Sequence, residues 1–412
     1  MHDPIALVAL YLAVILVAAK LGGDLAVRAG QPAVLGELIV GVLLGNASLA
    51  GFHGLEAMKT DAAIDMLARL GVLILLFEVG LESTVKQMLQ VGWMALLVAT
   101  LGVIAPFALG WGVGAWLLPE ASVYQHVFLG ATLTATSVGM TARVLQDLGK
   151  SQTGEARIIL GAAVIDDVLG LMVLAVVTGL IGAADAGGSM DIGAVGLIVV
   201  KAVVFLVGSI AVGVALAPRL FHIASRLLAR GALLATGLAI CFVLSWLAGA
   251  IGLAPIVGAF AAGLILESVH YQEFKDRGEH GLEVLVHPIA GFLVPVFFVL
   301  MGMHTDLASF AQPGVLALAA ALTVAAVVGK QVCALGVWQP GINRLAIGVG
   351  MIPRGEVGLI FANIGLTLTL AGERIVSSAT YSAVVVMVIV TTMMTPPALK
   401  WAMGGSKLKA EG

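Results

Sequence analysis

The stretch Ile158 to Gly182, IILGAAVIDDVLGLMVLAVVTGLIG, is apolar from end to end except for one adjacent pair, Asp166 and Asp167. An apolar run of this length crosses a hydrocarbon core of about 30 Å, which takes about 20 helical residues. The two acids fall near the middle of the run, where water is scarcest. A carboxylate at that depth costs about 2.5–3.5 kcal/mol on insertion scales, so it marks a functional site and faces protein, a cavity or a cation. Adjacent helical residues project about 100° apart, so the two acids cannot share one role. One can face a cavity while the other faces a neighbouring helix. The bland alternative is a structural pair satisfied by backbone and lysine.

The rest of the chain has the same character. Its 412 residues are 60% hydrophobic and only 11% charged, with a mean hydropathy of +1.09; soluble domains carry roughly 25% charged residues. This composition belongs to a polytopic membrane protein. The formal net charge of −3 gives no sign of nucleic-acid binding. The 52 glycines suit close helix packing and interrupted helices. Cys241 and Cys333 both lie in apolar runs and read as small core residues, with no disulfide framework and no cysteine metal site. The start, MHDPIALVAL, lacks a basic region and a small-residue cleavage site, and reads as a first membrane helix.

Apolar runs separated by polar or Gly/Pro breaks predict thirteen spans, at 4–20, 33–50, 63–81, 91–118, 123–144, 156–182, 192–217, 231–250, 253–267, 284–304, 313–337, 343–369 and 377–402. Pro106 predicts a kink in the fourth. Of the 21 basic residues, Lys59 and Arg374 alone fall on one side of the resulting topology, and Arg69, Lys201, Lys330 and Arg354 fall within spans. The others gather on the opposite side, which by the positive-inside rule is cytoplasmic. The expected orientation has the N-terminus outside and the C-terminus in the cytoplasm. The loop from Glu267 to Glu283, with His270 and His280, reads as a solvated connector or a pH-responsive segment. The tail after the last span is short and polar, with no soluble regulatory domain expected.

Two spans look interrupted. The fifth has a centre of hydroxyls, Thr132 to Ser137. The twelfth holds Pro353, Arg354, Gly355 and Glu356, flanked by Gly348, Gly350 and Gly358. Proline removes a backbone donor and glycine relaxes the helix. If the seventh span links two six-span halves, the fifth and twelfth spans correspond. Such a pair, in two inverted repeats, is the sequence mark of a transporter site. The expected organisation is a single transmembrane unit, with a first repeat at 1–182, a linker helix and loop at 183–230, a second repeat at 231–402 and a tail at 403–412.

Buried charges are few. Lys330, deep in the eleventh span, must be paired or neutral; Asp166 is its natural partner, and snorkelling to an interface is the alternative. Arg354 and Glu356 would neutralise helix-end dipoles or each other. Glu78 and Glu37, toward the cytoplasmic ends of their spans, line an inner funnel or are ordinary interfacial acids. Lys201 reads as snorkelling and Arg69 as marking an outer helix end.

The segments TLTATSVGMTARVL, AAVIDDVLGL, VVGK and GMIPRGEVGLIFANIG, in this order, together with LARLGVLILLFEVGLE and PVFFVLMGMHTDL, resemble the cation:proton antiporter-2 family. Its members of this kind are thirteen-helix bacterial sodium/proton antiporters. The likeness covers nearly the whole chain. The resemblance implies an all-α fold of two inverted repeats with discontinuous crossing helices at spans 5 and 12, a core domain and a dimer domain, and a homodimer in the bacterial inner membrane. It implies that Asp167 binds sodium or the proton, with Asp166 beside it paired to Lys330, and that Thr136 and Ser137 add oxygen ligands. No cofactor is implied beyond the transported Na+, Li+ or K+ and H+, and no enzymatic activity. The adjacent aspartates and the lack of a nucleotide-binding domain favour sodium or lithium over a potassium efflux role. A channel, an organic-anion symporter on the same broken-helix fold and an intramembrane aspartyl protease are the rivals. No TVGYG filter and no GxGD motif occurs, and adjacent acids on one helix cannot face each other to share a proton.

Overall fold

The computed structural model describes residues 4–52, 55–82, 92–137, 141–142, 144–145, 148–150, 153–185, 192–227, 231–266, 274, 280–311 and 313–404. Its helices follow the apolar runs, because a backbone in hydrocarbon must pair its own polar groups. They are α1 (Pro4–Arg28), α2 (Ala33–Gly45), α3 (Ala62–Glu82), α4 (Trp93–Leu117), α5 (Val123–Thr132), α6 (Gly154–Asp185) and α7 (Ile192–Ser225). The second half supplies α8 (Ala232–Ala250), α9 (Pro255–Ile265), α10 (Leu282–Met303), α11 (Pro313–Gln331), α12 (Arg344–Gly350), α13 (Gly355–Thr367) and α14 (Ser378–Gly404). Among the described residues, eight helices are long and apolar enough to cross a membrane. Each predicted span overlaps helix, but α2, α9 and α13 are shorter apolar helices. The twelfth span divides into α12 and α13.

Helix ends run past the predicted spans. α1 continues to Arg28 and α7 to Ser225, since hydropathy stops at the interface while helix propensity continues through residues such as Lys20, Arg28 and Arg219. A hairpin the sequence reading did not foresee follows α13. Thr369 pairs with Arg374 and Leu370 with Glu373. Its two turn residues, Ala371 and Gly372, have φ of 53° and 84°, the geometry of a two-residue hairpin turn. The Ala371 N–H donates to Asp185 at the end of α6, at 2.8 Å.

The helices sort into two packed groups. One comprises α4, α5, α6, α11, α12, α13 and α14, and the other α1, α2, α3, α8, α9 and α10. α7 packs against α6, α8 and α9, and the groups also touch where α9 meets α6 and α2 meets α13. Each group takes consecutive helices from both halves of the chain.

Within the second group, helices approach to backbone contact through glycines. A Cβ on Gly41 of α2 would collide with the Val299 carbonyl of α10, and one on Gly302 with the Leu38 carbonyl. Small residues at such crossings are how membrane helices gain packing without a hydrophobic driving force. Gly41→Ala and Gly302→Ala are each expected to cost roughly 1–3 kcal/mol through overpacking, read as a lower thermal unfolding midpoint in detergent. Gly182→Ala is the control, since its added methyl meets nothing within 4 Å; an equal loss there would contradict the packing explanation.

Candidate functional site

The interruptions predicted in the fifth and twelfth spans are present and lie against each other. α5 opens with a capping box between Ser122 and Gln125. It ends at Thr132, and residues 135–137 carry no regular structure. α12 is capped by Asn343, whose side chain accepts from Ala346 N–H at 3.2 Å and donates to the Ala402 carbonyl of α14 at 2.8 Å. α12 stops at Gly350, and α13 begins at Gly355. Gly355 has φ of +44°, and a Cβ there would lie 2.5 Å from Ser137 Cβ. The crossing point therefore requires glycine for both conformation and space.

The helix ends exposed by these breaks are satisfied mutually. Three carbonyls at and beyond the end of α12 accept from the first break: Gly350 from the Thr141 hydroxyl at 2.7 Å, Met351 from the Thr136 hydroxyl at 3.3 Å and Pro353 from the Ser137 N–H at 2.7 Å. In the other direction, cationic side chains take the carbonyls of the first break. Lys330 Nζ donates to Thr134 O at 2.7 Å, and Arg354 Nη1 donates to Ala135 O at 2.8 Å. Arg354 Nη2 reaches Ala326 O of α11 at 3.2 Å.

Lys330 does not snorkel. It is fully enclosed and donates to Asp166 Oδ1 at 2.9 Å and Oδ2 at 3.2 Å, a contact with neither side chain exposed. α4 backs this pair with a glycine. A Cβ on Gly102 would sit 2.9 Å from Cys333 Sγ and 3.2 Å from Lys330 Nζ. Asp166 has no exposed surface, whereas Asp167 keeps 6%. The two adjacent acids thus occupy different surroundings, as their angular separation on a helix requires.

The structure brings Asp166, Thr136, Ser137, Lys330 and Arg354 to one crossing, and Asp167 follows Asp166 on the same helix. It does not bring Glu78 there. Glu78 Oε1 lies 3.0 Å from His287 Nδ1 of α10, in the other helix group. Glu37 is buried in α2, also in that group. The Glu356 side chain, and the loop with His270, lie outside the described residues. Lys201 is exposed on α7, and Arg69 pairs with Asp65 at 2.7 Å. Sequence reasoning did not place Thr141, Cys333 or Gly102 at the site. The hydroxyl at Thr141 continues the polar cluster TLTATSVGMT, which could have signalled it; the other two read as ordinary packing residues.

Comparison with known proteins places these residues in context. The profile "Sodium/hydrogen exchanger, transmembrane" matches residues 9–401. The chain is 40% identical to the high-affinity Na(+)/H(+) antiporter NhaS3 of Synechocystis, over 97% of this chain and 90% of that protein. It is 37% identical to the Na(+)/H(+)-K(+) antiporter GerN of Bacillus cereus, over 95% of each. In fold it is similar to the sodium proton antiporter MjNhaP1 of Methanocaldococcus jannaschii, with a TM-score of 0.70, 15% identity and 98% of each chain covered.

Breaking a buried ion pair by removing one partner costs roughly 3–5 kcal/mol, because the other charge is left uncompensated. Lys330→Met is therefore expected to lower thermal stability strongly, and the double variant Asp166→Asn, Lys330→Met to recover much of the loss. A double variant no more stable than Lys330→Met alone would show that the pair is not the stabilising unit.

Proposed function

The chain belongs to the sodium/hydrogen exchanger transmembrane family, and on that premise we propose that it exchanges sodium, or lithium, for protons across the bacterial inner membrane by alternating access. The competing ligand is the carboxylate of Asp167. Sodium and the proton bind it in turn, so loading one requires release of the other. Asp166 stays committed to Lys330 and supplies negative field beside the ion. Thr136 and Ser137, at the unwound end of the first break, add oxygen ligands. Arg354 and Lys330 hold the freed carbonyls of that break in place.

The observation that carries this reading is the unequal environment of the two acids. Asp166 is fully enclosed on Lys330 at 2.9 Å, while Asp167, one residue on and about 100° round the helix, is buried to 6% exposure. An acid already neutralised by a buried ammonium is poor at taking a cation, which favours its neighbour for that work.

The architecture assigned with it has thirteen spans in two inverted repeats, 1–182 and 231–402, linked through 183–230, with the N-terminus outside and the C-terminus cytoplasmic. The group of α4 to α6 and α11 to α14 is the moving core domain. The group of α1 to α3 and α8 to α10 is the dimer domain of a homodimer. The chain carries no catalytic activity and uses no cofactor. Potassium is a second cargo candidate, favoured by the 37% identity to a relative named a Na(+)/H(+)-K(+) antiporter. An organic-anion symporter is disfavoured, because buried acids at the crossing repel an anionic substrate.

Reconstitution into proteoliposomes tests this directly. Addition of sodium to vesicles holding a proton gradient should dissipate it for the wild type, lithium should do so as well, and Asp167→Asn should reduce the rate at least about a hundredfold while leaving the thermal unfolding midpoint close to wild type. Robust sodium/proton exchange by a well-folded Asp167→Asn protein would end the proposal. Potassium added in the same assay reads the second cargo.

A further inference from the structure

The chain leaves the α10 group for the α11 group through residues 304–307, and this crossing is held from both sides. The last turn of α10 tightens. The His304 N–H donates to Leu300 O at 3.1 Å and the Thr305 N–H to Gly302 O at 3.0 Å. Met301 O is one of the carbonyls a helix end leaves without an in-helix partner. The Tyr381 hydroxyl of α14 donates to it at 2.9 Å. Tyr381 is fully buried, so neither group has water as a substitute. One residue on, Ser382 Oγ accepts the Asp306 N–H at 2.9 Å. From the other group, Asn46 at the end of α2 donates to Thr305 O at 2.7 Å and accepts the Leu307 N–H at 3.0 Å.

The bond from Tyr381 to Met301 therefore runs between the two helix groups. It lies at the end of the bundle where α10 finishes and α14 begins, which is the outer end in the orientation above. Polar contacts at the opposite end, Glu78 with His287 and Asn343 with Glu155 and Ala402, each stay inside one group.

We propose that Tyr381 and Ser382 form an outer latch: the Tyr381 bond to Met301 O holds the α14 group against the α10 group with the outer face closed, the Ser382 bond to Asp306 N–H pins the connector that leaves α10 beside it, and these bonds break each time the site opens outward. This rests on the alternating-access reading. When the groups part, water replaces both bonds. Removing the Tyr381 hydroxyl strands Met301 O in the closed state only, and so favours opening.

A single hydrogen bond of this kind shifts a two-state balance roughly two- to tenfold. In vesicles of known protein orientation, Tyr381→Phe should lower the apparent KM for sodium at the outer face by that factor relative to its value at the inner face. Ser382→Ala should move the ratio in the same direction, and it decides the matter alone if the phenylalanine variant does not fold. Wild-type exchange with an unchanged ratio in the folded variants overturns the latch and leaves the antiporter reading intact. A wild type without sodium-dependent proton flux sinks that reading, and the latch with it.

Discussion

Backbone polar groups freed inside hydrocarbon must find partners, and the centre of this protein is shaped by that requirement. Interrupting two spans at the same depth releases donors and acceptors from both. The solution is exchange between the breaks. Hydroxyls and an N–H from residues 136–141 take carbonyls at the end of α12, while Lys330 and Arg354 take Thr134 O and Ala135 O. Using cations for that second task imports two positive charges to a place where charge is costly. Asp166 is then needed at Lys330, and the site becomes a balanced set rather than a lone acid. Among the described side chains at the crossing, two cations face two carboxylates. With Asp167 ionised the set is neutral; with either a sodium ion or a proton on Asp167 it carries one positive charge. The two loaded states are electrostatically alike, as the proposed competition at Asp167 requires of a site whose Lys330 keeps its charge; a Lys330 that gave up its proton would instead make exchange electrogenic.

Much of this was legible in the sequence because the background is so apolar. Two aspartates in a run such as Ile158–Gly182 have no bland context to hide in, and a lysine in ALTVAAVVGKQVCALG needs an acid within reach. The breaks were legible because proline and glycine have fixed effects on backbone. Arg354 was legible only in outline. It was expected to neutralise a helix end or Glu356; it donates to the carbonyl of Ala135, just past the end of α5, and to that of Ala326. A carbonyl is present at every residue and carries no signature of its own. The hairpin at 369–374 was hidden for a related reason: Ala371 takes a positive φ that alanine seldom adopts, so composition did not announce the turn. The partner of Glu78 was not legible either, since a place near a helix end does not reveal His287 opposite.

The grouping of helices adds a constraint that neither motif could supply. Asp166, Asp167, Thr136, Ser137, Lys330 and Arg354 all belong to the group of α4 to α6 and α11 to α14, and the bonds described above that satisfy the two breaks are made inside it. Under the proposed alternating access, that group would shift as a body without breaking those bonds. A site shared between the groups would have to break buried ionic contacts on each passage, at several kcal/mol apiece. Under the proposed alternating access, placing the described charged side chains on one side of the boundary between the groups removes that cost. The boundary itself carries neutral contacts, such as Tyr381 on Met301 O, whose net worth of about 1 kcal/mol is small enough to be made and broken in turnover. Rigid charge within a group and weak neutral bonds between groups are complementary requirements of a carrier, and a chain whose two halves interleave in threes meets both.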